Sequence, residues 1–193
     1  PTQRLSWTDH LKDYENLSER LPDGAFPKGS NWLILGPTGP RRLRLSMEHL
    51  ANYRGGSAYH VDLDPRWVRR CIAAGRIDIS DAYRDHVLRQ AIPLIQHRDI
   101  ACIFTTPVIL ESLAQEISLA EHGIKGVLAG GTSMNPQVVR FLIEEILPEE
   151  VRFQPVYGNT LMGLAISAPV SAENDYEVVY YAPQPRAVLR IVD

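Results

Sequence analysis

Apolar runs alternate with helix-like stripes through the second half of the chain. Residues 100–104 and 127–129 are apolar throughout, as buried strands are, and 151–156 is a further predicted strand. Between them, apolar side chains recur at helical spacing over 108–117 and 138–146. Strand, helix, strand, helix, strand is the order of an α/β fold, so we predict a mainly parallel β-sheet flanked by helices.

The first half of the chain has a less regular pattern. Residues 5–21 repeat leucine and tyrosine at helix-like spacing, and a linker rich in Pro and Gly runs to residue 29. The apolar run 32–35 predicts a buried strand. Leu43 and Leu45 then alternate with arginines, which predicts the return strand of a hairpin.

Two helices are expected before the central strand. The pair Asp64-Pro65 is the N-cap and first-turn combination that begins helices, and this helix would run to about Gly75. A second stripe covers 82–97, in which Pro93 is expected to bend or break the helix. The pattern ends in two predicted strands, at 178–181 and 187–192.

Composition and charge narrow the classes of function. The chain has 193 residues, 45% of them apolar and 22% charged, which excludes wholesale disorder and suits one domain or a substantial piece of one. Its net charge of -3 lacks the basic excess of a nucleic-acid binder. No apolar run is long enough to span a bilayer, and Cys71 and Cys102 fit a reducing compartment, so we expect a cytoplasmic protein without membrane contact.

Three predicted loops follow strands and are small and polar. They cover 105–107, 130–134 and 157–163, and each is rich in Gly or Thr. In parallel sheets, ligands bind outside the carboxyl ends of the strands. We therefore expect a binding site along that edge of the sheet.

A fourth loop, from Gly36 to Arg42, follows the first strand. It offers glycine, the hydroxyl of Thr38, backbone N–H groups and two guanidinium groups, which are the groups that polyphosphate recognition uses. It is not a Walker A loop, because the Gly-Lys-Ser/Thr end is missing, and it is not a GxGxxG fingerprint. Taken alone, it also fits a Pro/Gly hairpin with solvated arginines.

Two of the later loops carry groups suited to a flat ring. Gly130-Gly131-Thr132 lets a ring approach the backbone, and Tyr157-Gly158-Asn159-Thr160 adds an aromatic face and oxygen-bearing side chains. Each of these patterns alone is also typical of an ordinary turn.

A metal site is a weaker interpretation. His60, Asp62 and Asp64 resemble a ligand cluster, but Asp64 is expected to cap the following helix, so we predict no metal site there. The other histidines are scattered, and neither GxSxG nor HExxH occurs, so no histidine is expected to act as a catalytic base.

The serial order of the loops carries more information than any one of them. A phosphate-type loop, a Thr-Pro turn, a Gly-Gly turn and a Tyr-Gly-x-Thr turn follow each other, and in this the sequence resembles the adenylate-forming superfamily of acyl-CoA synthetases, peptide-synthetase adenylation domains and luciferases. Within it the chain looks closest to the phenylacetate-CoA ligase branch. Segments 60–67 and 157–163 are similar to the atypical adenylating proteins of phenazine-antibiotic biosynthesis. The resemblance covers residues 30–192.

The resemblance implies a domain layout and a set of site residues. Residues 1–29 would be a helical segment and linker, and 30–193 the nucleotide-binding part of the large N-terminal domain. The family's phosphate-loop Lys falls on Arg42, its adenine lies between the Gly-Gly turn and Tyr157, and Thr160 holds the α-phosphate. The implied catalytic residues are Arg42 and Thr160, and the implied nucleotide-binding residues are Gly36, Thr38, Gly39, Gly130, Gly131, Thr132, Tyr157, Gly158, Asn159 and Thr160.

The sequence departs from the family where the metal is held. The family's Glu that helps to bind Mg²⁺ is Leu161 here, and leucine cannot ligate a hard cation. ATP is still the cosubstrate that the resemblance implies. Either another carboxylate or the phosphates alone would hold Mg²⁺, or the ATP chemistry would be weak. The family's ribose-binding Asp motif and its C-terminal lid domain with the catalytic Lys are expected beyond Asp193.

The resemblance implies ATP-dependent adenylation of an aromatic carboxylic acid, giving acyl-AMP and pyrophosphate, in secondary metabolism. The activated acid would pass to a thiol acceptor or to a reductase partner. Two alternatives stay open. One is a nucleotide- or carboxylate-binding homologue with weakened catalysis, which Leu161 favours, and the other is an unrelated α/β domain whose turns match by chance.

Overall fold

The computed structural model describes residues 7–38, 42–159 and 163–183. The helices are α1 (Trp7–Glu19), α2 (Arg42–Tyr53), α3 (Pro65–Ala73), α4 (Ile77–His97), α5 (Pro107–Glu116) and α6 (Pro136–Phe141), which continues as a π turn (Leu142–Ile146). The strands are β1 (Asn31–Gly36), β2 (Ala58–Asp62), β3 (Ile100–Thr105), β4 (Gly126–Ala129), β5 (Arg152–Asn159) and β6 (Gly163–Ile166).

The six strands form one sheet in the order β2-β1-β3-β4-β5-β6. The first five are parallel, and β6 runs antiparallel to β5. Helical crossovers connect the parallel strands, as such connections require. The predicted α/β fold with a mainly parallel sheet is confirmed.

Both faces of the sheet are buried, and β1 shows how. Successive side chains of a strand point to opposite faces. Trp32 and Ile34 belong to an apolar cluster with residues of α1 and α2, whereas Leu33 and Leu35 belong to a second cluster with residues of α4 and α5. Burial on both faces explains why the central strands are continuous apolar runs.

The predicted hairpin strand at Leu43 and Leu45 is wrong, because these residues lie in α2. Leu43, Met47 and Leu50 stand four and three residues apart, and all three pack in the cluster that covers the sheet. This helical face extends over more of the chain than the short alternation with arginine. The first strand is therefore followed by a helix.

Two other expectations also need correction. Pro93 does not break the stripe at 82–97, because α4 runs from Ile77 to His97 and its buried residues Leu88, Ala91 and Ile95 anchor it on both sides of the proline. The predicted strand at 178–181 reduces to a single bridge between Ser167 and Tyr180. The predicted strand at 187–192 lies outside the described residues.

The start of α3 is confirmed in atomic detail. Asp64 is its N-cap, and the carboxylate accepts hydrogen bonds from the backbone N–H of Arg66 and Trp67. The helix ends at Ala73, and Gly75 follows with a positive φ of 71°. In the part of the chain that the structure covers, no helix is both long and apolar enough to cross a membrane.

Candidate functional site

The carboxyl ends of the five parallel strands lie along one edge of the sheet. From one side to the other, these ends are Asp62 of β2, Gly36 of β1, Thr105 of β3, Ala129 of β4 and the end of β5 around Tyr157. Strands in a sheet are about 4.8 Å apart, so β1 and β5 stand roughly 14 Å apart along this edge. That span is on the scale of an extended nucleoside triphosphate.

At one end of this edge, Thr38 is fastened to Asp62. Gly36 and Asp62 are paired residues of adjacent strands, so the loop after β1 begins beside the end of β2. The backbone N–H of Thr38 donates to Asp62 Oδ1 at 2.9 Å, and Thr38 Oγ1 donates to the same oxygen at 2.7 Å. Two donors of the predicted phosphate loop therefore already converge on one anionic oxygen.

The loop leads into the first turn of α2, since Arg42 begins that helix. The N-terminus of a helix presents unpaired N–H groups and a partial positive charge, both of which favour phosphate. A helix that begins after this loop is thus better suited to bind an anion than the predicted hairpin strand would have been. Gly39 lies outside the described residues, and the role of Arg42 stays a prediction.

The Gly-Gly turn after β4 has two different glycines. A Cβ on Gly130 would lie 2.7 Å from the carbonyl oxygen of Val156, so this position must be glycine for β4 and β5 to pack. Gly131 has a φ of 86°, a conformation that L side chains rarely adopt, and it is exposed together with Thr132. Gly130 thereby holds the turn directly against the strand that carries Tyr157.

Residues Tyr157 to Asn159 belong to β5, whereas the sequence predicted a loop. They pair with β6, in which Gly158 stands opposite Leu164. A Cβ on Gly158 would lie 2.8 Å from the carbonyl oxygen of Gly163, so close packing of the two strands is one reason for this glycine. Thr160 and Leu161 lie outside the described residues.

The ring of Tyr157 is available at this edge. Its residue is 52% exposed, and its ring centroid lies 5.8 Å from that of Tyr180, at an angle of 50°. Burial raises the pKa of the Tyr180 phenol, and the neighbouring Tyr157 raises it further. Tyr180 therefore stays neutral and gives the exposed ring of Tyr157 an apolar backing.

The three residues that resembled a metal cluster each have a different contact in the structure. Asp64 caps α3, Asp62 holds Thr38, and His60 Nε2 lies 3.8 Å from Glu48 Oε2 on α2. Neither ring nitrogen of His60 has a hydrogen-bond partner among the described residues, and burial lowers the pKa of the imidazole. Within residues 7–38, 42–159 and 163–183, no three His, Cys, Asp or Glu side chains come together as a metal site of protein ligands alone would require.

The contact between Thr38 and Asp62 is a feature of this edge that the sequence did not predict. Asp62 ends β2, for which the sequence analysis predicted no strand. The contact depends on the register that pairs Gly36 with Asp62, and this register joins two segments that are distant along the chain.

A cavity of about 340 Å³ lies at the opposite edge of the sheet. It is lined by the end of the π turn and the start of β5, including Leu147, Val151 and Arg152. Tyr157 lies five residues beyond Arg152 along the extended strand β5, which amounts to roughly 17 Å. The cavity is therefore remote from the predicted site residues.

Comparison with known proteins identifies the fold. No protein-family model and no curated protein matches the chain. A 2-hydroxyisobutyryl-CoA ligase in complex with 2-HIB-AMP superposes with a TM-score of 0.62 at 11% identity, over 93% of this chain and 34% of that one. The O-succinylbenzoate coenzyme A synthetase of Bacillus subtilis in complex with AMP gives 0.55 at 14% identity, over 94% and 29%.

A third solved structure is the amide bond synthetase McbA from Marinactinospora thermotolerans, with a TM-score of 0.52 at 15% identity over 86% of this chain and 29% of that one. The chain thus has the fold of part of an adenylate-forming ligase. It spans about a third of the length of the solved structures that it matches.

Proposed function

We propose that this chain is the nucleotide-binding part of an enzyme that uses ATP to adenylate a carboxylic acid. The observation that carries the proposal is the order of groups along one sheet edge. An exposed Tyr157 and the Gly130-Gly131 turn stand at one end, and the Thr38 loop before the N-terminus of α2 stands at the other. The 2-hydroxyisobutyryl-CoA ligase and the O-succinylbenzoate coenzyme A synthetase, which share this fold, were crystallised with 2-HIB-AMP and with AMP.

The proposed substrate is an aromatic carboxylic acid, and the setting is secondary metabolism of the phenazine-antibiotic kind. This part rests on the similarity of segments 60–67 and 157–163 to the atypical adenylating proteins, within a phenylacetate-CoA ligase-like branch. A downstream reductase or thiol acceptor would take the activated acid.

The proposed reaction needs positioning and charge neutralisation more than covalent help. A carboxylate oxygen of the acid attacks the α-phosphorus of ATP, the bond from that phosphorus to the bridging oxygen breaks, and pyrophosphate leaves. The carboxylate is already ionised near neutral pH, so no general base is required. His60, whose Nε2 lies 3.8 Å from Glu48 Oε2, is therefore not needed as a base in this reaction.

In this proposal Tyr157 stacks on the adenine, Thr160 holds the α-phosphate, and Arg42 pairs with the phosphate charge. Base–aromatic stacking contributes about 1–3 kcal/mol in other proteins. The donor set of this edge also fits Mg²⁺ shared with phosphates, since such a site takes one or two protein carboxylates and Asp62 stands beside Thr38. When bound, the cation would neutralise part of the phosphate charge.

ATP–pyrophosphate exchange by the full-length protein with a panel of aryl acids tests the proposal. Replacing Tyr157 by alanine should weaken ATP binding by about 5- to 150-fold, which corresponds to the loss of stacking, whereas Tyr157→Phe should stay near the native protein. Tyr53→Ala is a matched control, because Tyr53 is also exposed, at 46%, but stands at the end of α2. Equal effects of Tyr157→Ala and Tyr53→Ala would contradict the stacking role.

A second candidate is a nucleotide-binding protein without catalysis, which Leu161 in place of the family's Glu favours. In that case ATP would bind in a Tyr157-dependent manner, and no acid in the panel would promote exchange. The same pair of measurements therefore separates the two functions.

A further inference from the structure

We propose that Asp62 is the carboxylate that recruits a divalent cation to the nucleotide phosphates, a task that the residue at position 161 cannot perform. The inference rests on the proposed function and adds a residue to its site. If it is correct, ATP binding to this chain depends on a cation held by Asp62. This residue ends β2, a strand to which the family resemblance gives no role.

Two hydrogen-bond donors of the loop converge on Asp62. The backbone N–H and the hydroxyl of Thr38 both donate to Asp62 Oδ1, and these are the loop groups that would otherwise contact a phosphate oxygen. The carboxylate thus occupies an anion position of the loop. Its other oxygen, Oδ2, makes no hydrogen bond or ion pair with any residue that the structure describes, and the residue is exposed.

The charge of Asp62 affects how a phosphate could bind at Thr38. A phosphate brought to Thr38 would stand next to an ionised carboxylate, and like charges at such short range repel each other. A divalent cation between Asp62 Oδ2 and the phosphate converts this repulsion into attraction. Mg²⁺ suits the place because it keeps several of its waters and takes only one or two carboxylates besides substrate phosphates.

The neighbours of Asp62 along the chain make other contacts. The carboxylate of Asp64 accepts the first N–H groups of α3, and moving it would uncap that helix. His60 is partly buried and faces Glu48, which is itself paired with Arg44 at 3.1 Å. Of the three residues that resembled a ligand cluster, Asp62 alone has an oxygen without a described partner beside the loop.

The test measures ATP binding to the full-length protein by calorimetry, with Mg²⁺ and with EDTA. Asp62→Asn removes the charge but keeps an oxygen acceptor for Thr38, so the loop should stay folded. Without cation, this variant should bind ATP about three- to tenfold more tightly than the native protein, because the repulsion is gone. With Mg²⁺ it should bind about tenfold or more weakly, because the cation has lost its protein ligand.

Two further variants sharpen the result. Asp62→Glu keeps the charge and should retain a clear gain from Mg²⁺, whereas Glu150→Gln removes an exposed charge at the opposite edge and should leave both affinities unchanged. A thermal melt of each variant shows that it is folded.

The outcomes are distinct. An Asp62→Asn protein with the native gain from Mg²⁺, or one weakened equally with and without cation, would overturn this inference while leaving ATP binding intact. A native protein that binds ATP in neither condition would overturn the inference together with the proposed function.

Discussion

At the scale of single residues, Gly130 joins the fold to the candidate site. A methyl group there would approach the Val156 carbonyl oxygen to 2.7 Å and its Cγ2 to 2.9 Å, and backbone atoms of a central strand cannot move aside cheaply. We expect Gly130→Ala to lower the free energy of unfolding by about 1–3 kcal/mol, the usual cost of overpacking. Urea unfolding followed by circular dichroism measures the change.

Gly24→Ala is the matched control for this prediction. Nothing lies within 4 Å of a Cβ at Gly24, so its replacement should change the free energy of unfolding by less than about 0.5 kcal/mol. Equal free energies of unfolding for Gly130→Ala and Gly24→Ala would mean that β4 and β5 do not pack as closely as described.

His60 makes the stability of the fold depend on pH. Burial lowers the pKa of the imidazole, Glu48 acts against this and Arg44 adds to it. Because the unfolded chain then binds the proton more readily, stability is highest above an unfolded pKa of about 6.5 and falls as the pH drops towards the folded value.

Replacing His60 by glutamine should flatten this part of the stability profile. The measurement is urea unfolding of both proteins at a series of pH values from about 7.5 downwards. His97→Gln, which changes an exposed histidine at the end of α4, should leave the native slope in place. A native slope in His60→Gln would assign the pH dependence to other groups.

At the scale of elements, the sequence was informative wherever one local pattern continued long enough. The apolar runs of β3 and β4 and the cap at Asp64 appear as predicted, because both faces of the sheet are buried and the cap is a contact within four residues. The prediction of a strand at Leu43 and Leu45 was wrong because alternation over four residues fits a strand and the start of a helix equally well. Only packing against Met47 and the sheet decides between them.

The strand β6 and the end of β5 could not be predicted for a different reason. Tyr157 and Gly158 look like a turn, and residues 164–166 form only a short apolar run after Gly163. They become strands because they pair with each other across the connection, with Gly158 fitting under the carbonyl of Gly163. Such pairing is a property of two segments together.

The helix α3 depends on its cap more than the other helices do, since none of its residues is buried. Asp64→Ala removes the acceptor for Arg66 N, at 2.9 Å, and should destabilise the helix by about 0.5–2 kcal/mol. Hydrogen exchange of the α3 amides should accelerate, while that of the β3 amides stays slow. Asp64→Asn keeps an acceptor and should stay close to the native protein; the same acceleration in both variants would contradict the capping role.

At the scale of the molecule, the candidate site exists because five parallel strands end at one edge. The order of the loops along the chain was enough to suggest a nucleotide site, since each loop follows a strand. The spatial order differs, because β2 stands outside β1, and this alone brings Asp62 to Thr38. Register and strand order are long-range properties, so this contact is visible only in the folded chain.

Cys102 reports whether the whole sheet opens. It lies fully buried on the central strand β3, and burial raises the pKa of its thiol to about 12, so both access and thiolate formation require unfolding. In a Cys71→Ser variant, we expect the single remaining thiol to react with a thiol reagent at pH 8 at least about 10³-fold more slowly than in denaturing urea, because only the globally unfolded fraction is reactive. Destabilising the core by Gly130→Ala in the same background should raise the rate by the factor that its loss of unfolding free energy predicts. Rapid labelling of Cys102 while circular dichroism remains native would show instead that β3 opens locally, and the sheet would then not be one cooperative unit.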